Sequence, residues 1–395
     1  MRVTKTQLSL AFFLARLLWL CGVPWEGLVA YGDLRHYYAL AALPGWPLVH
    51  YWAEYPPLFP WLAEGLYRLT GGQEVLFTYL LALLFSAAQA LSLWLVADLA
   101  AALDLQATGQ RTLAYGALTW GLLYTWGQFD PLVVALTLAG VWLWQRRRPQ
   151  WAALSIALGV LGKWFPLLVL PAWMRERPRV AWRGLLLLSA VTFAAWGGAW
   201  LLSPPMTRAS LVSQAHKGSW ETLWALWDGN LSTGLLGPLE ERLDPHAAAR
   251  PRGAPAQIPP LLTLLPFGLL GLLAWHRFHP QRPDQTLAFI GFTWTLFLLW
   301  SPGYSPQWVL YLLPWMLLGL PWPRGGLFSL VLVGLNLVEW PLTLSRGLFP
   351  ALYWIVPLRT ALLLGLAGAF WAHAQPRAKT DPGGRSGGPT KVPLS

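Results

Sequence analysis

Apolar runs of about 20 residues recur along this chain, and they restrict its fold more than any other feature. The longest covers 75–103. A helix of about 20 residues, rising 1.5 Å per residue, spans the ~30 Å hydrocarbon core of a bilayer. Within that core every backbone amide must be satisfied inside its own segment or around a closed barrel. The runs are continuous rather than alternating, which argues against a barrel. What remains is an all-α, polytopic helical membrane protein. Composition agrees, because charged residues make up only 11% of the sequence, against about 25% in a soluble domain. Many of the 28 Trp lie near segment ends, where indole suits the membrane interface. The lone Cys21 allows no intrachain disulfide, and Cys21-Gly22-Val23-Pro24 is not a small-x-small cleavage site.

Net charge is +11, from 28 Lys and Arg against 17 Asp and Glu. The basic residues cluster between apolar runs, so membrane topology explains them and no nucleic-acid partner is needed. Arg146-Arg147-Arg148 is the strongest orientation marker and is expected to be cytoplasmic. Segment 8–30 then spans, and the loop from Tyr31 emerges outside. Segment 57–70 has about 14 residues, or ~21 Å, and reads as re-entrant or interfacial. Segment 151–173 carries Lys163 and Pro166 in its middle and is followed by Arg175, Arg177, Arg179 and Arg183. A single crossing would put those arginines outside, so a hairpin of half-helices meeting near Lys163 is expected. Segment 203–259 reads as a long, mostly polar extracytoplasmic loop. The expectation is one domain over 1–374 with about 10–12 membrane helices, short or re-entrant ones included. Residues 375–395 read as a disordered cytoplasmic tail.

The densest group of ionisable and aromatic residues lies at 31–56, the first outer loop. It holds Asp33, Arg35, His36, Tyr37, Glu54 and Tyr55, and reads as a catalytic loop at the membrane surface. Asp33 has the chemistry of a general base toward an attacking hydroxyl, and it also fits a helix N-cap. Lys163 lies inside an apolar run, where an ammonium is costly and marks function. It suits a phosphate as a point charge, or it snorkels to the interface. Arg208, His216 and Lys217, in the long loop, are further phosphate candidates or ordinary loop charges. Gln128, Asp130, Tyr304 and Gln307 fall on the same outer face as substrate contacts. Glu54 before Tyr-Pro-Pro also fits helix entry, and Asp130 before Pro131 an N-cap. There is no Walker motif, His-Glu-x-x-His or Cys-x-x-Cys, so a nucleotide donor lacks support.

Taken together these residues resemble a known family. Tyr31-Gly32-Asp33 with Tyr37-Tyr38, then Tyr55-Pro56-Pro57-Leu58, is similar to the first outer loop of GT-C glycosyltransferases. Gly127-Gln128-Phe129-Asp130, the Arg triplet, and Gly162-Lys163-Trp164-Phe165-Pro166 through Leu170-Pro171 resemble glycosyltransferase family 87 and GPI mannosyltransferases. In those, a Gly-Gln/Asn motif precedes a Lys-x-x-Pro motif. Ser305-Pro306-Gln307-Trp308 with Leu313-Pro314 resembles their late Ser-x-Gln-Tyr turn. The resemblance covers roughly 10–320. It implies a GT-C-like fold in a membrane, with a bacterial plasma membrane expected. It implies transfer of a hexose, mannose favoured, from a polyprenyl-phosphate donor to a lipid or glycan acceptor on the extracytoplasmic face. The family's essential acidic residue carries over onto Asp33. Some relatives have Asp-x-Asp there, where this chain has Arg35. No cofactor is required by the pattern, and Mg or Mn is the metal left open. The competing class is a polytopic transporter or lipid flippase, which Lys163 on a broken helix favours. Asp33 in a loop and the missing internal repeat weigh against it. Whether Asp33 and Lys163 line one cavity open to both the outer aqueous face and the lipid separates the two.

Overall fold

The computed structural model describes residues 4–235 and 237–375; the tail reading at 376–395 lies outside them. Among the described residues the structure is helical with no β-sheet.

The first helix, α1 (Lys5–Gly22), opens on a capping box in which Thr4 accepts from the Gln7 amide and the Gln7 side chain reaches back to Thr4. The expected continuation to residue 30 does not form. Pro24 has no amide to donate and closes the helix, leaving only the single turn α2 (Trp25–Leu28) before the loop. Asp33 occupies the N-cap position of α3 (Leu34–Ala41). Pro57 then precedes α4 (Leu58–Leu69), whose 12 residues cover ~18 Å and fall short of a crossing. The 29-residue α5 (Glu74–Ala102) and α6 (Thr108–Gly121) lead to a 3-10 turn over Leu123–Gly127. The α7 (Asp130–Gln145) and α8 (Pro149–Gly162) helices form an antiparallel pair with the Arg triplet at its bend.

After Gly162 the helix breaks, because Pro166 cannot continue it, and a 3-10 turn (Phe165–Val169) hands over to α9 (Leu170–Glu176). The chain doubles back rather than crossing. The Trp144 indole donates to Glu176 at 3.0 Å, Arg177 donates to the Trp144 carbonyl at 3.0 Å, and Trp144 stacks on Trp173 at 4.4 Å. The arginines after α9 therefore gather at the same end of the bundle as the Arg triplet. Asp98, near the C-terminal end of α5, marks that end too, pairing with Lys5 and with Arg146.

The long α10 (Pro178–Leu202) leads into α11 (Pro204–Ala215) and the short α12 (Leu223–Asp228). The 203–259 segment is thus more ordered than its composition suggests, with Pro204-Pro205 fixing the first helical turn of α11. The remaining helices are α13 (Pro260–Arg277), α14 (Pro283–Trp300), α15 (Val309–Gly319), α16 (Trp322–Leu337) and α17 (Leu352–Ala374).

Burial sorts these helices by role. Every residue of α15 is buried, as expected for a helix apolar on all sides. It packs against α14 and α16. In contrast α10 and α13 are long and apolar yet leave Leu201 85% and Leu261 76% exposed. Such surface is stable against lipid tails and costly in water. Five described helices are long and apolar enough to cross a membrane, and the shorter α7 and α8 are apolar as well.

Candidate active site

Asp33 is positioned by a backbone contact. Its amide donates to the Gly127 carbonyl at 3.0 Å, docking the outer loop onto the 3-10 turn. Gly32 and Gly127 meet so closely that a Cβ on Gly32 would lie 2.8 Å from the Gly127 Cα, which is why neither carries a side chain. Behind Asp33, the Tyr37 hydroxyl lies 3.3 Å from Asp33 Oδ2 and 3.4 Å from Gln128 Oε1, and Gln307 donates to that Gln128 oxygen at 3.4 Å. Rings of Tyr37, Tyr55, Phe59 and Phe129 pack edge to face or stacked beneath this row.

A cavity of about 320 Å³ opens over these groups. Asp33, Glu54, Tyr55 and Gln128 line one part of its wall; Asp130, Lys163, Lys217 and Gln307 line another. Six separate stretches of sequence therefore converge on one space. Asp33 and Lys163 share it.

Lys163 caps the end of α8 and reaches Asp130 at 2.6 Å, where the Tyr311 hydroxyl also donates at 2.8 Å. Its ammonium lies 5.0–5.8 Å from the centroids of Phe129, Phe165, Trp308 and Tyr311. That cage explains how a charge persists in an apolar run: a carboxylate balances it and ring faces surround it. Lys217 differs, because among the described residues it forms no ion pair. Its ammonium is the more available of the two to an anionic ligand.

Glu54, only 2% exposed, is clamped by Arg242 in a two-pronged contact of 2.7 and 3.1 Å and touched by His36 at 3.3 Å. Burial pushes its carboxyl up, but the His36 bond and the Arg242 and Lys217 charges outweigh burial and hold it down at about 2. Asp33 moves the other way. Burial raises it, the neighbouring Asp130 adds to the rise, and His36, Tyr37 and Lys163 only partly oppose it. Burial also lowers Lys217, with Lys163 and Arg242 pulling the same way. One cavity thus holds a carboxyl tuned toward proton acceptance and an ammonium without a fixed partner.

Other sequence candidates lie elsewhere. Arg35 is exposed, with its guanidinium 5.1 Å from the Trp25 ring. Arg208 is exposed on α11. His216 lines a smaller adjoining pocket and sits 3.0 Å from the Val212 carbonyl. Tyr304 is buried, donating to Asn336 at 2.8 Å. Among the described residues no three His, Cys, Asp or Glu side chains gather as a metal-binding group. Arg35, at the second position of the Asp-x-Asp pattern, supplies no carboxylate there.

The family model for glycosyltransferase family 87 matches residues 52–302, well over half the chain. The chain belongs to glycosyltransferase family 87. It is a membrane glycosyltransferase, with a sugar donor, an acceptor and membrane lipid as its partners. The matched region includes Glu54, Gln128, Asp130, Lys163 and Lys217, while Asp33 and Gln307 fall outside it. No curated protein and no solved structure matches the chain. For this family 87 member, sequence reasoning missed Arg242 as the partner of Glu54. Arg242 lies in the long 203–259 loop, 188 positions from Glu54, and only the fold carries it across. It also missed Glu221, a loop carboxylate by position that the fold buries against the cavity.

Proposed function

We propose that the protein moves a hexose, mannose favoured, from a polyprenyl-phosphate donor to a hydroxyl of a lipid or glycan acceptor on the extracytoplasmic face. The observation that carries this reading is that Asp33, Lys163 and Lys217 all line one cavity. Asp33 takes the proton of the attacking acceptor hydroxyl as the glycosidic bond forms. The leaving lipid phosphate gains charge at the same moment, and nearby ammonium groups stabilise it. Lys217 is assigned the closer role, since Lys163 already balances Asp130 and acts from behind. Gln128, Gln307 and Tyr37 form the hydrogen-bonding row that holds Asp33 and orients the sugar. The cytoplasmic assignment of the Arg146–Arg148 end, from the positive-inside rule, puts this cavity outside. A transporter would place its site on broken helices near the midplane, whereas here a loop carboxylate shares the cavity with the broken-helix lysine.

Lys217→Met tests the phosphate assignment. Removing one charge-assisted contact raises the donor KM by about 10- to 100-fold. Thermal stability changes little, because the substitution strands no ion-pair partner. An unchanged donor KM removes Lys217 from the donor site.

A further inference from the structure

On the cavity wall stands a carboxylate that the proposed chemistry does not use. Glu221 lines the cavity yet is only 2% exposed. Its loop is pinned to the turn after α14: the Trp220 amide donates to the Pro302 carbonyl at 3.2 Å, and Tyr304 donates to the Trp220 carbonyl at 3.0 Å. The Thr222 hydroxyl donates to Pro302 as well, at 2.8 Å. Glu221 itself has φ +53°, a strained conformation for a non-glycine residue that persists only where the surroundings impose it.

Behind Glu221 lies Glu339, fully buried, in the extension of α16. Arg359 from α17 pairs with the Glu339 carboxylate and donates to the Glu221 backbone carbonyl, and its guanidinium covers the Tyr304 ring at 3.7 Å. The charges do not balance: two carboxyls share one arginine. The other titratable groups facing the pair are the Tyr304 and Tyr124 phenols, which add no positive charge. Glu221 Oε2 and Glu339 Oε1 are both buried and lack a donor. One proton held between the two carboxyls satisfies both oxygens and restores neutrality. Burial and the Glu339 charge do push the Glu221 carboxyl well up, in line with that count. The Glu221 side chain lines the cavity together with Trp220 and Trp340.

We infer that Glu221, sharing one proton with Glu339, forms a sugar subsite in which its carboxyl hydrogen-bonds a hydroxyl of the hexose while Trp220 and Trp340 flank the ring. Glu221 is then a specificity-determining residue. The inference rests on the glycosyltransferase reading above. The hydroxyl belongs either to the sugar being transferred or to a sugar of the acceptor, and the test has an arm for each.

The experiment compares wild type, Glu221→Gln and Glu221→Leu, using polyprenyl-phosphomannose as donor and an alkyl mannoside as acceptor, with deoxy analogues of each sugar. Glu221→Gln keeps a neutral donor and acceptor and stays within about threefold of wild-type kcat/KM. Glu221→Leu loses about 10- to 100-fold. It also loses the wild-type preference for the intact sugar over the deoxy analogue, in the donor arm or the acceptor arm. A merely structural role would lower activity and leave that preference untouched, which overturns the proposal. Equal loss in Glu221→Gln and Glu221→Leu also overturns it, because an ionised carboxylate would then be required. A separate readout needs no turnover: infrared spectra at neutral pH show a protonated carboxyl band in wild type that Glu221→Gln lacks. If wild type transfers no mannose, the donor assignment fails, and the infrared band still decides the shared proton. Its absence from wild type overturns the inference.

Discussion

Asp33→Asn lowers the transfer rate by about 10²–10⁴-fold, the usual worth of a positioned general base. The substitution keeps the side chain's shape, and the Asp33 amide still bonds Gly127, so insertion and folding remain intact. The donor KM stays close to wild type, since the proposed function assigns the donor's phosphate to the lysines and not to Asp33. The pH profile carries a second signature. Burial raises Asp33 above the ordinary carboxylate value of 3.8, so the base loses activity as pH falls through a range above that value. Wild type therefore shows an acid limb displaced upward, and Asp33→Asn lacks that limb. A stopped time course of labelled-sugar transfer across pH measures both. An Asp33→Asn variant that keeps most of the rate takes the base role away from Asp33.

The largest stability effect belongs to Arg242. Replacing it with Met leaves Glu54 charged and buried, with His36 as its remaining hydrogen-bond partner and the Lys217 charge nearby, and breaking such a pair costs about 3–5 kcal/mol. The same clamp ties the first outer loop to the long one: the Trp52 amide donates to the Arg242 carbonyl at 3.0 Å, and the Trp52 indole donates to Glu241 at 2.9 Å. The double variant Arg242→Met/Glu54→Gln recovers most of the loss, because no unpaired charge remains. The pH dependence has a fixed sign. Glu54 sits at about 2 when folded against 4.5 ordinarily, so its contribution is fully present above about pH 4.5 and disappears as pH falls toward 2. Thermal unfolding of the detergent-solubilised protein reads the loss. A variant as stable as wild type would show that the pair contributes nothing net.

Much of this was legible in the sequence because local rules decide it. Continuous apolar runs specify helices, Pro166 and the flanking arginines specify the hairpin at Lys163, and the Arg triplet sets the bend between α7 and α8. Asp33, Gln128, Asp130, Lys163, Lys217 and Gln307 share a face by topology, and the fold brings all of them to one cavity. Other features were not legible because they depend on contacts distant in sequence. Glu54 meets Arg242 across 188 positions, and nothing in either local sequence announces it. The order of 203–259 comes from packing against the first loop and the 301–308 turn rather than from its Pro, Gly and Ala content. Arg208 and Tyr304 were grouped with the site by face alone, and face does not say whether a side chain reaches the cavity or lies on or beneath the surface.

The most direct measurement supplies purified protein in proteoliposomes with labelled mannose on polyprenyl phosphate or on a nucleotide, each with the same acceptor lipids. The account predicts sugar transfer from the polyprenyl-phosphate donor alone, lost in Asp33→Asn. Transfer from the nucleotide donor, or turnover indifferent to Asp33, would contradict it.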